Sequence, residues 1–308
     1  MRIAVNLLAV VCFIIPTTGI AQEWAYQVVE RIPPSESDVN APRSVPGSSR
    51  SYSQAEIDDD WNPPDWFPGD HSPLPAVVAQ GSGDVRACGA CHLTSGMGHP
   101  ESSHLAGLPV EYFIRQMEEY RSGARTDRYW MNDFARELSV ESMRDAAEYY
   151  AAIEPIDWVE VVEVDEVPRS YVGDGRMRFR DSGGGTEPLG NRIVELPQNR
   201  ELVTAKHPYS GFVAYVPIGS LTRGEVLVTT GGGGRTIACI ICHGAELRGI
   251  GEIPAIRGIS PLYVVRQLND IQTGDRAGIQ AVLMQATVAS LTEDDMIAIA
   301  AYLASLDP

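Results

Sequence analysis

Positive charge is scarce in this sequence of 308 residues. A single lysine, Lys206, and the arginines make 24 cationic residues against 41 acidic ones, a formal net charge of −17. This balance argues against a nucleic-acid-binding protein, whose affinity rests on cationic contacts to phosphate. It suits protein partners that dock through a basic face. Charged residues make up only 21% and hydrophobic residues 44%, so we expect folded domains with real cores.

Long apolar runs are also absent, except at the N-terminus. Arg2 precedes a 13-residue run from Ile3 to Ile15, and small residues follow up to Ala21. This pattern is typical of a secretory signal peptide, and we predict cleavage after Ala21. The run is too short to span a bilayer, although an uncleaved anchor is the alternative. The sequence therefore predicts an exported, periplasmic protein with no membrane span after cleavage.

Cysteine is rare as well, and the few cysteines present are placed in a pattern. Of five cysteines, Cys12 lies in the signal peptide. The other four form two C-x-x-C-H motifs, Cys88-Gly89-Ala90-Cys91-His92 and Cys239-Ile240-Ile241-Cys242-His243. An even number of cysteines in an exported chain first suggests disulfides, but this spacing is that of c-type haem attachment.

The haem interpretation follows from the chemistry of the motif. Two thiols about one helical turn apart can add to the two vinyl groups of one porphyrin, and the following histidine can reach the iron. A redox dithiol or a four-cysteine zinc site would leave both histidines unexplained. The sequence therefore predicts two covalently bound haem c groups, with His92 and His243 as iron ligands.

The chain repeats itself around these motifs, over about 70 residues. The second motif follows the first by 151 residues, and a two-residue insertion later moves the offset to 153. The matching pairs are Gly107 and Gly258, Tyr112 and Tyr263, Arg115 and Arg266, Gln116 and Gln267, Gly123 and Gly274, Arg125 and Arg276, Met131 and Met284, Leu138 and Leu291, Met143 and Met296, and Tyr149 and Tyr302. Two similar domains are therefore expected.

Both repeats have a helical pattern. Apolar residues recur at helical spacing over 110–121 and 261–272, and a glycine follows each segment. Ser139 and Thr292 precede acidic first turns and are predicted N-caps. The last helices are expected at 140–153 and 293–305.

A second iron ligand separates electron transfer from catalysis, and methionine is the leading candidate. Met131 and Met284 recur in both repeats, and we expect each to lie in a loop between helices. Methionine at this position fills the coordination sphere and raises the reduction potential. His99 and His104, found only in the first repeat, are the alternative ligands there. The other histidines and methionines are predicted to have structural roles; these are His71, His207, Met97, Met117, Met143 and Met296.

Together the motifs resemble class I cytochromes c, and the tandem arrangement resembles the di-haem cytochrome c-four type. The resemblance covers about half of the chain after the signal peptide. It rests on C-x-x-C-H, on Leu105-Ala106-Gly107-Leu108-Pro109 before the middle helix, and on Tyr263-x-x-Arg266-Gln267 in the second repeat. It implies a mainly α fold with two helical haem domains, joined by a long, largely irregular segment with possible short strands.

The resemblance also implies further site residues. A proline carbonyl in such cytochromes accepts the N–H of the iron-bound histidine, and Pro254 fits this role for His243. The first repeat has Ser103 at that place, which leaves the partner of His92 open. Arg115 and Arg266 are candidates for binding the haem propionates, with acidic helix residues as their alternative partners.

The predicted organisation has five segments. Residues 22–78 form an N-terminal extension rich in proline, serine and acid. Residues 155–230, named the strap here, carry strand-like runs at 158–164 and 225–228 and are expected to be ordered. Its glycine runs match no phosphate-binding motif. In full, the segments are 1–21 (signal peptide), 22–78 (extension), 79–154 (first haem domain), 155–230 (strap) and 231–308 (second haem domain).

The function expected from this organisation is single-electron transfer between redox partner proteins. The donor would be a dehydrogenase or a quinol-oxidising complex, and the acceptor an oxidase or another cytochrome. One alternative is a di-haem enzyme of peroxidase type, with an open first haem and acid–base groups beside it. Another is an electron-entry subunit of a dehydrogenase complex. An enzyme with a cysteine as the sixth ligand is disfavoured, because no cysteine remains free for that role.

Overall fold

The computed structural model describes residues 23–26 and 40–308, so the predicted signal peptide lies outside the described residues. In this part the chain is mainly helical, as predicted, with twelve α-helices and nine short strands. Two short 3₁₀ turns, Glu23–Ala25 and Asp174–Arg176, complete the regular structure. None of the helices in the described part has the length and apolar character needed to cross a membrane.

The first repeat is a small helical unit preceded by part of the extension. Its elements are β1 (Pro42–Arg43), β2 (Tyr52–Ser53), α1 (Gln54–Ile57), α2 (Ala76–Ala79), α3 (Cys88–His92), α4 (Val110–Ser122), α5 (Met131–Glu137) and α6 (Val140–Ala151). Helix α4 turns Phe113, Ile114 and Met117 toward a core that it shares with α6. It ends at Gly123, whose left-handed φ of 81° is costly for other residues.

The second repeat follows the same plan. Its elements are α8 (Ser220–Thr230), α9 (Ile240–His243), α10 (Pro261–Thr273), α11 (Ala281–Val288) and α12 (Glu293–Ala304). Helix α10 ends at Gly274 with a φ of 91°. Ser139 and Thr292 cap α6 and α12 through their side-chain oxygens, which confirms both predicted caps.

The predicted strand at 225–228 is wrong, because these residues lie inside helix α8. Their β-branched side chains favour a strand only weakly, and packing overrides that preference. Gly224 lets α8 approach α12 closely, since a Cβ there would lie 2.0 Å from the carbonyl oxygen of Ala298. Arg223 also bonds the carboxylate of Asp295 at 2.6 Å. By these contacts α8 packs with the second repeat.

The rest of the strap is ordered around a small sheet. Its elements are β3 (Val159–Glu163), β4 (Glu166–Pro168), β5 (Ser170–Val172), β6 (Arg178–Arg180), β7 (Thr186–Pro188), β8 (Val194–Pro197), α7 (Arg200–Thr204) and β9 (Phe212–Val216). Strand β3 pairs parallel with β9, and β8 pairs antiparallel with β9. Strands β4 and β7, and β5 and β6, form two antiparallel ribbons. The strand predicted at 158–164 is confirmed by β3.

The strap contacts the second repeat through a buried carboxyl group. Glu195 on β8 is 1% exposed, and one of its oxygens accepts from Ser260 Oγ at 2.6 Å and from Leu262 N at 3.3 Å. Its other oxygen is buried without a partner. Burial raises the pKa of Glu195 to about 7. The strap therefore carries a group that titrates near neutral pH at the start of α10.

Replacing Glu195 by glutamine should flatten the pH dependence of stability. The folded chain keeps a proton on Glu195 up to about pH 7, whereas the unfolded chain releases it near its ordinary pKa of about 4.3. Stability is therefore lost as pH rises through that window, by on the order of 3 kcal/mol. Thermal unfolding at pH 5 and pH 8 measures the loss. Glu160→Gln, on the exposed side of β3, is the control, and equal pH profiles for the two variants would contradict the assignment.

Candidate functional site

The two C-x-x-C-H motifs open into one continuous cavity of about 1690 Å³. In the first motif, helix α3 holds both cysteines and the histidine within little more than one turn. In the second, α9 begins directly after Cys239. All four cysteines line the cavity, and none forms a disulfide among the described residues. Their arrangement is the one expected for two attachment sites.

The thiols are not arranged as a reactive redox pair. Burial raises the pKa of the Cys88 thiol to about 12 and that of the Cys239 thiol to about 11. A redox dithiol needs one thiol with a depressed pKa, because the thiolate is the reactive form. These values disfavour the dithiol alternative.

Each motif histidine is held by a backbone carbonyl. His92 Nδ1 lies 2.8 Å from Ser103 O, and His243 Nδ1 lies 2.9 Å from Pro254 O. The hydrogen bond expected for Pro254 is therefore present, and Ser103 supplies the partner that the sequence left open. Burial lowers the pKa of both histidines. A neutral ring that donates from Nδ1 keeps Nε2 available for a metal.

The cavity fits the predicted cofactor. It exceeds the usual 300–1,000 Å³ of a pocket for one small ligand, as expected if it serves two large groups. Its lining combines two cysteine pairs, two neutral histidines and apolar side chains. Arg276 also lines it, and the Nε of Arg276 is buried without a partner. Such an orphaned donor is what an acidic group on the cofactor would satisfy.

Met131 and Met284 both line the cavity, but neither lies in a loop as expected. Met131 is the first residue of α5, and Met284 lies in the middle of α11. The start of α5 is fixed by Asp127, whose carboxylate accepts from the backbone N–H of Met131 and of the two residues before it. Short helices thus position both sulfur atoms, where the sequence suggested irregular chain.

Met143 also lines the cavity, and its environment differs from that of Met131. It is 1% exposed inside α6, and Arg121 Nη2 lies 3.7 Å from its sulfur. Its counterpart Met296 is equally buried inside α12 and does not line the cavity. Both positions agree with the core role that the sequence predicted.

The two alternative ligands of the first repeat are held by their own loop. His99 Nδ1 accepts from Glu101 N at 3.2 Å, and its Nε2 lies 3.1 Å from Ser102 Oγ. His104 Nε2 bonds the carbonyl of Ala106 at 2.9 Å. Burial lowers the pKa of His99 to about 3 and that of His104 to about 4. Both ring nitrogens of His99 are thus engaged, whereas Nδ1 of His104 is buried with no partner among the described residues.

A buried arginine of the first repeat joins the two repeats. Arg125, 5% exposed, donates to Gln116 Oε1 of its own repeat at 2.7 Å. It also donates to Gln267 Oε1 at 2.7 Å and to Tyr263 OH at 3.2 Å, both in the second repeat.

Arg276 mirrors this arrangement from the other side. It donates to Gln267 of its own repeat at 2.9 Å, and to Gln116 and Tyr112 OH of the first repeat at 2.9 and 2.8 Å. Two reciprocal backbone bonds, from Thr126 N to Asp275 O and from Ala277 N to Ala124 O, complete the pattern. The repeats therefore meet through the same residues, related by an approximate two-fold axis.

The structure places Arg115 outside the cavity, and its guanidinium binds Glu252 of the second repeat at 3.1 Å. Arg266 does line the cavity, but it donates to the carbonyl of Ala25 at 2.9 Å and pairs with Glu101 at 3.6 Å. Both arginines thus form reciprocal ion pairs between the repeats, and a cofactor role for either of them stays a prediction.

The strap and the extension cover the first site. Leu93, next to His92, packs with Trp158, Met177 and Phe212 of the strap. Lys206 of the strap lies 3.1 Å from Asp60 of the extension. Cys242 of the second motif is exposed within the part of the chain that the structure describes.

Comparisons with known proteins agree with this geometry. The family model described as Cytochrome c matches residues 222–307. The chain is 27% identical to a thiosulfate dehydrogenase electron acceptor of Thiomonas intermedia, over 75% of this chain and 83% of that one. It is 25% identical to cytochrome c4 of Pseudomonas aeruginosa, over 74% and 88%. It is 34% identical to cytochrome c-554(548) of Halomonas halodenitrificans, over 22% of this chain and 82% of that one.

Proposed function

Since the chain belongs to the cytochrome c family, we propose that it is a periplasmic carrier of single electrons with two covalently bound haem c groups. One observation carries this proposal. Both C-x-x-C-H motifs line one cavity, and each contains a buried histidine whose Nδ1 is held by a backbone carbonyl.

The residues of each site have distinct tasks in this function. Haem c supplies a one-electron iron couple when bound. The cysteines hold the porphyrin covalently, and the Nδ1 hydrogen bond of His92 or His243 orients the ring so that Nε2 faces the metal. Met131 and Met284 would supply the second ligand. A coordination sphere filled in this way would leave no position for a substrate, so each site would exchange electrons only.

The interface between the repeats supports transfer between the two sites. Both sites open into one cavity, and the residues that line it at the interface include Arg125, Arg276, Tyr112 and Tyr263. Their reciprocal hydrogen bonds hold the repeats in one relative orientation. With the repeats held in this way, electrons would pass between the two bound haem groups without movement of the domains.

The location and donor of this carrier follow from its chemistry and its relatives. Covalent haem attachment takes place outside the cytoplasm, in agreement with the signal peptide predicted at 1–21. One relative is named as an electron acceptor of thiosulfate dehydrogenase, so a dehydrogenase is the donor that we favour. A permanent subunit of a dehydrogenase complex would use the same chemistry, and co-purification of a second chain would identify it.

The peroxidase alternative has less support. It needs an open iron and acid–base groups that titrate near the working pH. His99 and His104 are bonded within their own loop, and their pKa values of about 3 and 4 keep both neutral at pH 7.

The haem content of the purified protein tests the proposal. We expect two haem groups per chain, and one in the variant Cys239→Ala/Cys242→Ala, because each cysteine pair attaches one porphyrin. The pyridine haemochrome assay on a known amount of chain gives the ratio, and Cys88→Ala/Cys91→Ala is the matched variant. One haem in the unmodified protein, or carbon monoxide binding to its reduced form, would contradict two closed sites.

A further inference from the structure

The second site is bordered by exposed apolar side chains. We name as the apolar rim the five residues Ile237, Ile241, Ile279, Val282 and Leu283. The exposed fractions of Ile241, Ile279 and Leu283 are 68%, 82% and 77%. Ile237 and Leu283 line the cavity together with the exposed Cys242. A hydrogen bond of 2.7 Å from Thr236 Oγ1 to Thr287 O joins the segment before the motif to α11.

The two segments that carry the rim contain no acidic or cationic residue. Residues 236–245 and 277–292 lack aspartate, glutamate, lysine and arginine, in a chain with a net charge of −17. The segment of the first repeat that matches 277–292 is 126–139. It contains five charged residues, which are Asp127, Arg128, Asp133, Arg136 and Glu137. The absence of charge is therefore specific to the second site.

The strap and the extension cover part of the corresponding edge of the first site. Leu93 is buried against the strap. Asp60 of the extension pairs with both Arg86 and Lys206, at 2.8 and 3.1 Å. Trp130, which matches Leu283, is 39% exposed, and the guanidinium of Arg86 lies over its ring. This edge therefore presents charged groups where the second site presents aliphatic ones.

We propose that the apolar rim is the docking site for the partner redox protein, and that the partner meets it with an uncharged, apolar face around its own cofactor. This inference rests on the proposed function. A charged partner face would lose its hydration against the rim with no opposite charge in return, whereas apolar surfaces gain by leaving water. One electron passes from the reduced partner to the ferric iron of the second site, which becomes ferrous, and no bond forms. The first site then exchanges electrons through the interface between the repeats.

This inference replaces the basic partner face expected from net charge. The net charge of the chain is a property of its whole surface, and docking depends on the surface at the cofactor edge. The transfer rate should therefore change less than about two-fold between 10 mM and 0.5 M salt, although such salt shortens the Debye length several-fold.

Stopped-flow kinetics on the holoprotein test the proposal. The probe is a blue-copper carrier whose copper edge is framed by uncharged apolar side chains, with a basic c-type cytochrome as the second probe. Ile279→Glu and Val282→Glu, at exposed rim residues that do not line the cavity, should each slow transfer from the blue-copper probe by about ten-fold, because they place an unpaired charge in the contact. Val140→Glu makes the same change at a 56% exposed residue of the first repeat, and should change the rate less than about two-fold.

The outcomes separate this proposal from the proposed function. Haem content and reduction potentials of the rim variants should equal those of the unmodified protein, since the substituted side chains are exposed. Equal rates for the rim and control variants would overturn the docking site while leaving the carrier function intact. Faster transfer from the basic probe, falling steeply with salt, would overturn it as well. A dimer that the rim variants convert to monomers would assign the rim to a second copy of this chain.

Discussion

Replacement of Met284 by alanine is expected to remove the methionine-to-iron absorption of the second site in the near infrared. The reduction potential of that site should fall by on the order of 0.1 V or more, within the roughly 0.8 V range that axial ligands span. The reason is that methionine raises the potential of haem iron when it fills the sixth position. Spectroelectrochemical titration of the holoprotein measures both changes.

Two further variants make this prediction specific. Met284→His should keep the iron closed and low-spin but still lower the potential, whereas Met284→Ala should open the reduced site to carbon monoxide. Met296→Leu removes a methionine of the same repeat that is 1% exposed and does not line the cavity. It should leave both the absorption and the potential unchanged. A normal potential in Met284→Ala would assign the sixth ligand to another residue.

The attachment sites and the helices of the repeats could be predicted because their signals are local. C-x-x-C-H places all its reactive groups within one helical turn, so no tertiary information is needed. Helix α4 was predicted from its apolar spacing and from Gly123, whose left-handed conformation terminates it. Thr292 was recognisable as a cap by the acidic residues after it, and Asp295 returns the hydrogen bond.

Other parts of the structure depend on contacts that sequence patterns do not record. The run at 225–228 has strand-forming residues, yet Gly224 and the neighbouring α12 make it a helix. Met131 was expected in a loop between helices, but Asp127 accepts from its backbone N–H and fixes the start of a short helix there. The strap covers the first site by packing on Leu93, which lies more than sixty positions before the strap residues that it contacts.

The interface residues carry a signal in the sequence. Tyr112, Gln116 and Arg125 recur in the second repeat at one fixed offset. A symmetric contact between two copies needs the same residues from both sides, so residues that recur without a role inside one repeat are candidates for the contact. Arg115 recurs as well, and it too proves to bind the other repeat.

Replacement of Arg125 by methionine should destabilise the protein far more than the same change at Arg115. Arg125 is 5% exposed and makes three hydrogen bonds to Gln116, Gln267 and Tyr263. Its loss removes this donor from Tyr263 and one of two donors from each of the glutamines, at a cost of roughly 3 kcal/mol if each lost hydrogen bond contributes about 1 kcal/mol. Arg115 pairs with Glu252, whose side chain is 55% exposed, so that substitution should cost less than about 1 kcal/mol.

Thermal unfolding of the two holoprotein variants tests this difference, with an expected fall in Tm on the order of 10 °C for Arg125→Met. Arg125→Lys separates charge from geometry. A lysine keeps the charge, but its compact ammonium group cannot span three acceptors that lie in two repeats, so it should recover only part of the loss. Full recovery by lysine would mean that the interface needs only a positive charge. Equal effects of Arg125→Met and Arg115→Met would mean that the buried network does not hold the repeats together. Other contacts would then have to fix the relative orientation on which transfer between the two sites depends.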